Sequence, residues 1–190
     1  MTKVQVNLKF ATRLINEHCI VIPTVYDKYN HRITGMSAQW AMPTDKKHIA
    51  ILFGAFSNTG KLIEESTYYC INVPRTCSKK DIMYFGMNHG DIIDKFSRTS
   101  FHLESLGNEQ YHNLSICESI AVLHMKVSKV VMVADECELQ SRLIFGEIVD
   151  AYVDPCTFDG EFYQLNNVNE EDRPLHCINE TEYCTIKPIY

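Results

Sequence analysis

The sequence has no C-x-x-C pair, no apolar run of membrane-spanning length and no excess of basic charge. Each absence closes off a class of protein. The eight cysteines stand at 19, 70, 77, 117, 137, 156, 177 and 184. Their spacing supports neither a zinc ribbon, a thioredoxin motif nor a ferredoxin-type cluster. Lys and Arg total 18 against 24 acids, a net charge of −6. That balance argues against a broad nucleic-acid surface and leaves room only for a local basic pocket. No run approaches the roughly 20 apolar residues of a transmembrane helix, so no membrane partner is expected. Met1 to Asn7 forms no continuous apolar signal core, which implies a cytoplasmic protein. The sequons Asn113-Leu114-Ser115 and Asn179-Glu180-Thr181 are then chance matches. The G-x-G-x-x-G dinucleotide fingerprint is missing. No histidine shows ligand spacing to acids or cysteines, so no metal is assigned. No Ser or Cys nucleophile can be matched to a base, and there is no repeat or low-complexity segment.

What remains is an ordinary globular composition, 45% hydrophobic and 11% aromatic over 190 residues. That length fits one domain, or one with an appendage, and buries roughly 70% of the unfolded surface. Neither disulfides nor a structural metal is needed. Cys19 and Cys70 fall in apolar strand patterns and read as small buried hydrophobes, whereas Cys156, Cys177 and Cys184 read as silent thiols in a polar tail.

The most informative stretch runs from Arg32 to Pro74. A β-rich run, Ile49 to Phe53, delivers the loop Ser57-Asn58-Thr59-Gly60-Lys61 into a helical pattern at Leu62-Ile63-Glu64-Glu65. Tyr68 to Val73 is a second β-rich run. Hydroxyls, an amide, a glycine and a lysine at a helix start would suit an anion such as phosphate, because free N–H groups and the helix dipole point there. A P-loop is excluded. Five residues separate Gly54 from Gly60, one too many, and Leu62 replaces the magnesium-binding Ser/Thr. The residues alone leave two readings open: an anion site, or a plain strand-loop-helix connection with a polar N-cap.

Elsewhere, Phe10–Ile15 reads as a short helix. Cys19–Tyr26 reads as a strand whose Pro23 suggests an edge or a bulge. Asp27–His31 is a turn, and Arg32 starts the returning strand. Helices are expected from Lys79 and again over Gly90–Phe96. Residues 97–115 are irregular and polar. Ser119–Val127 alternates in part, and Lys129–Ala134 extends or pairs with it. Leu143–Val149 is a late strand in which Gly146 marks a bulge or a close backbone approach. Many short strands with few helices indicate a small antiparallel barrel.

Several motifs in order resemble the flavin reductase-like, FMN-binding split-barrel family, which includes the flavoredoxins. Ser37, Gln39 and Trp40 lie in its first turn. Thr59 and Ile63 match its T-x-x-x-I helix start, and Cys70 to Pro74 match its x-x-N-V-P strand. Gly86 to Phe96 is similar to its G-x-x-S-G-x-x-x-D-K-F segment, with His89 where serine is common. Leu143–Val149 resembles its late strand, and Pro174-Leu175 through Tyr183 its closing tail.

The resemblance implies a mainly β fold, a six-stranded Greek-key split barrel with a few short helices. Residues 1–154 would form the barrel. Residues 155–190 would form an extension packing on it or on a dimer partner. It implies FMN as cofactor, with Ser57, Asn58 and Thr59 donating to the phosphate and Lys95 adding a charge. His89 would reach the phosphate or the flavin edge. Ser37, Ala38, Gln39 and Trp40 would line the isoalloxazine edge largely through backbone groups, with the Trp40 ring buried. It also implies a homodimer. The flavin itself would carry the chemistry. Three functions follow: an NADH- or NADPH-dependent flavin reductase passing electrons to a small-molecule or protein acceptor, a flavoredoxin-like electron carrier, or a non-catalytic FMN-binding protein.

Overall fold

The computed structural model describes residues 3–15, 19–111, 113–134, 138–178 and 182–187. His18, His112, Cys137 and the sequon at 179–181 lie outside these residues. The strands are β1 (Val4–Gln5), β2 (Ile22–Asp27), β3 (Arg32–Gly35), β4 (Ala41–Pro43), β5 (His48–Phe53) and β6 (Tyr68–Val73). They continue with β7 (Leu103–Glu104), β8 (Ser115–Ile116), β9 (Ala121–Ala134), β10 (Gln140–Val153), β11 (Leu175–Cys177) and β12 (Tyr183–Thr185). Two α-helices join them, α1 (Asn58–Glu64) and α2 (Lys79–Met87).

The main sheet runs β3-β2-β6-β9-β10-β5-β4, with β1 added on β10. Its pairings are antiparallel. The six longer strands make a mainly β split barrel, and β1 and β4 add two and three residues. β2 lies beside β6, and β5 beside β10. These are the long-range neighbours that Greek-key order brings together. Inward residues Ile49, Ile51, Leu123, Met125, Ile144 and Ile148 form the main core, and α1 adds Leu62 and Ile63 to it.

β9 and β10 form a single long hairpin, so Lys129–Ala134 extends the preceding strand. The register shifts between Phe145 and Gly146, where the sequence marks a bulge. A Cβ on Gly146 would stand 2.4 Å from the Tyr69 hydroxyl, so only glycine lets the backbone pass. The partial alternation of Ser119–Val127 has a physical reason. Val122 and His124 face away from the barrel, yet both are buried, because Tyr111 and Leu114 cover that side.

Two local expectations are corrected. Pro23 does not lie on an edge strand, since β2 runs between β3 and β6. It is tolerated because its missing N–H faces β3 beyond the ladder's last pair, Thr24 with Gly35. Gly90–Phe96 is not a helix. One turn closes, with the N–H groups of Ile92 and Ile93 both donating to His89 O, and the chain then opens.

α2 packs Ile82 and Phe85 into a second core with Ile20, Ile22, Phe101, Ile116 and Leu175. Phe85 meets Phe96 and Phe101 edge to face, at 5.1 and 5.5 Å. The C-terminal stretch joins this core through Leu175, whose carbonyl accepts Ile20 N–H at 2.8 Å. Arg75 ties the same stretch down, donating to Asp154 (2.6 Å) and Asp172 (2.9 Å). Burial alone would raise the Asp154 pKa, but the Arg75 and Cys156 N–H bonds hold it below the usual value.

Candidate functional site

Three segments far apart in sequence meet beside α2: the turn after β3, the start of α1 and the 86–95 loop. Ser57 caps α1, its Oγ accepting Gly60 N–H at 3.0 Å and donating to Met36 Sδ at 3.0 Å. The N–H groups of Asn58 and Thr59 belong to the first turn, which has no intrahelical acceptors. Asn58 Nδ2 is buried with no hydrogen-bond partner. Thr59 is buried and His89 is exposed at the rim. Ser57, Asn58, Thr59, His89 and Lys95 all line one cavity of about 60 Å³.

Lys95 is the decisive group. It is 3% exposed, and its ammonium donates only to Gly35 O and Phe85 O, each at 2.7 Å. No carboxylate bonds it among the described residues. Burial lowers its pKa to about 8, against a weaker upward pull from Asp91. A buried ammonium facing a small polar cavity is the arrangement an anion completes. Glycine supplies the space: a Cβ on Gly90 would lie 2.1 Å from Thr34 Oγ1 and 3.5 Å from Lys95 Cε. The residues present therefore fit a flavin phosphate, and the unpartnered Asn58 amide is a further donor for it.

Gly86 also lines a second cavity of about 250 Å³, so the two adjoin. Ser37, Ala38 and Gln39 form one wall of it, and Met83 and Met87 of α2 another. The backbone role expected of this turn is partly preempted. Ala38 N–H and C=O are both spent on Val21, at 2.8 and 2.9 Å. The Ser37 hydroxyl donates to Ile82 O. Gln39 Nε2 donates to Cys177 O at 2.8 Å. Trp40 is a correction: its side chain is 68% exposed and does not line the slot. Its carbonyl accepts Leu52 N–H, which fixes the backbone at a strand start and turns the ring outward. Sequence reasoning missed Met83, Met87, Cys177 and Tyr183. The two methionines carry an i, i+4 helical signal. Cys177 and Tyr183 reach the slot only because β11 pairs with β12, where they are directly opposed.

A sequence model of the flavin reductase-like domain matches residues 16–187, and the chain belongs to that family. It is 25% identical over 171 residues to the uncharacterized protein YddH of Escherichia coli K12, covering 82% of this chain and 80% of that one. The fold matches that of an FMN-binding domain of a flavin reductases-like enzyme from Shewanella baltica. There the TM-score is 0.85 at 18% identity, over 100% of this chain and 96% of the other. The flavoredoxin of Desulfovibrio vulgaris (Miyazaki F) gives 0.73 at 21% identity, over 90% and 88%. Flavin binding by this fold and a general flavin oxidoreductase class follow from the family.

Proposed function

We propose that this protein is an FMN-dependent oxidoreductase that takes electrons from NADH or NADPH and passes them to a second acceptor. The observation that carries the reading is Lys95, a buried ammonium without a carboxylate, beside an unpartnered Asn58 amide and next to an apolar slot. Ser57, Asn58, Thr59, His89 and Lys95 hold the phosphate. Ser37, Ala38 and Gln39, with Met83 and Met87, flank the ring. Bound FMN supplies the two-electron redox chemistry, while the chain binds it, orients it and shields one face from water. Without a dinucleotide fingerprint, a nicotinamide must approach through this same slot.

A homodimer belongs to the same proposal. Val131, Leu143, Leu52 and Trp40 lie in register on the outward side of β9-β10-β5-β4, with Phe145 and Met42 in the next row. Trp40 and Met42 are more than half exposed, and this mostly apolar sheet face, with Lys129 across from Phe145 at its border, suits a self-complementary twofold contact. Cys70, Cys77, Cys117, Cys156 and Cys184 are free thiols, which suits a reducing cytoplasm.

The test is direct. The purified protein should carry yellow FMN or quench added FMN fluorescence at micromolar concentration, and it should oxidise NADH or NADPH in the presence of FMN with oxygen or a ferric chelate. Quenching without nucleotide oxidation would leave a flavin carrier and remove the enzyme. No quenching would remove both. Light scattering should give twice the mass of one chain.

A further inference from the structure

The outer face of α2 carries a feature that flavin binding does not use. Helical spacing places Lys79, Met83 and Met87 on one stripe, and Lys80, Tyr84 and Asn88 on the next. All six line a trough of about 670 Å³, larger and more open than the flavin slot. Met83 and Met87 line both, so the trough leads into the slot. Its far end is cationic and its middle apolar, and the two ends of the Lys79–Met87 stripe stand about 12 Å apart at 1.5 Å per residue.

The lysines are poorly explained by folding. Both are exposed and both stand in the first turn of α2, where the helix dipole makes a cation unfavourable. Neither pairs with a carboxylate among the described residues. Lys79 lies over the Tyr183 ring at 4.6 Å. The nearby Asp81 is taken up by Ser100, whose N–H and hydroxyl both donate to its Oδ2. In a chain of net charge −6, two adjacent cations with no carboxylate partner among the described residues, at the mouth of an apolar trough, mark a place for a polyanion.

We propose that this trough holds the phosphorylated adenosine half of a dinucleotide bearing a 2′-phosphate, with Lys79 and Lys80 on that 2′-phosphate. This rests on the flavin reading of the adjoining slot and selects NADPH over NADH as the electron donor. Met83, Tyr84 and Met87 give the ligand's planar groups an apolar floor. The stripe leads its other end toward Gly86, where the ring slot begins.

The experiment uses 2′,5′-ADP as the probe and 5′-AMP as its control, by calorimetry on the full chain with and without FMN. The wild type should bind 2′,5′-ADP clearly tighter than 5′-AMP. The Lys79→Gln/Lys80→Gln variant should lose roughly tenfold or more of that affinity. The wild-type affinity should also fall with added salt, because the lysines are exposed. In steady state the variant should raise KM for NADPH with little change in kcat and little change in KM for NADH. FMN quenching is measured on the same two proteins and should not differ between them. Equal binding of 2′,5′-ADP by wild type and variant, or no binding by the wild type at millimolar concentration, would overturn the proposal even if FMN binds normally. Failure of FMN to bind either protein would overturn the flavin reading separately. An acidic protein as the true occupant of the trough would appear as the no-binding outcome.

Discussion

Two of the buried bases invite comparison, Lys95 beside the phosphate-sized cavity and His124 on the outer face of strand β9. In both, desolvation is the largest effect on the pKa: Lys95 falls to about 8 and His124 to about 4. Their surroundings differ. His124 stacks on Tyr111 at 4.5 Å, and its Nε2 lies 3.0 Å from Ser115 Oγ. It is fully buried and lines no described cavity. Lys95 opens onto a cavity with unengaged donors around it. A neutral imidazole can be sealed in at modest cost, whereas an ammonium needs an anion or a way out. A depressed pKa therefore marks a ligand site only where geometry gives the charge something to meet.

The largest expected effect breaks the Lys95 side of this contrast. Lys95→Ala should weaken FMN by about 1.5–3 kcal/mol, the loss of a charge-assisted hydrogen bond, while riboflavin is affected much less. Parallel fluorescence titrations read the ratio, and an unchanged ratio would remove Lys95 from the phosphate site. The same contact sets a pH dependence. Free Lys95 loses its proton near pH 8, and a bound phosphate would favour the charged form. FMN affinity should be level just below pH 8 and fall above it, with riboflavin flat across the range.

His124 should govern stability instead. Its folded pKa, about 4, lies below the usual 6.5, so the unfolded chain binds more protons between those values. Its contribution is full above pH 6.5 and is lost as pH falls toward 4, about 3 kcal/mol. His124→Phe should flatten that acid limb in urea melts at several pH values, with FMN affinity at pH 7 unchanged. A variant that keeps the wild-type acid slope would assign the slope elsewhere.

Gly90→Ala tests the cradle itself. The added methyl would collide with Thr34 Oγ1 and crowd Lys95, costing about 1–2 kcal/mol in thermal stability and weakening FMN. Thr34 Oγ1 has no hydrogen-bond partner, so adding Thr34→Ala should relieve much of the cost. Absence of rescue would show that the strain lies elsewhere. The smallest effect belongs to the ring end. Gln39→Ala removes one exposed bond to Cys177 O and should weaken FMN and riboflavin alike, by under about 1 kcal/mol.

Local order explains what was legible beforehand. Ser57 is readable as an N-cap because capping depends on residues three apart. Gly146 is readable as a bulge because an isolated glycine in a strand has few other uses. The family motifs added Lys95 and His89, which composition and spacing alone leave as solvated side chains. Trp40 and Gly90–Phe96 resisted for one reason. A ring beside a strand and an apolar helical pattern look core-bound in sequence. Burial, however, depends on which neighbours arrive: Trp40 and Ile92 are both left mostly exposed.

The sequence by itself determined the six longer strands, the capped start of α1 and the family, because periodicity, turn chemistry and ordered motifs are carried by neighbouring residues. The tertiary structure decided that Lys95 turns inward to Gly35 and Phe85, that Cys177 and Tyr183 close the slot, and that His124 is sealed. Those outcomes depend on groups 10 to more than 100 residues apart meeting in a packed interior, where desolvation, not sequence spacing, sets the cost of each charge.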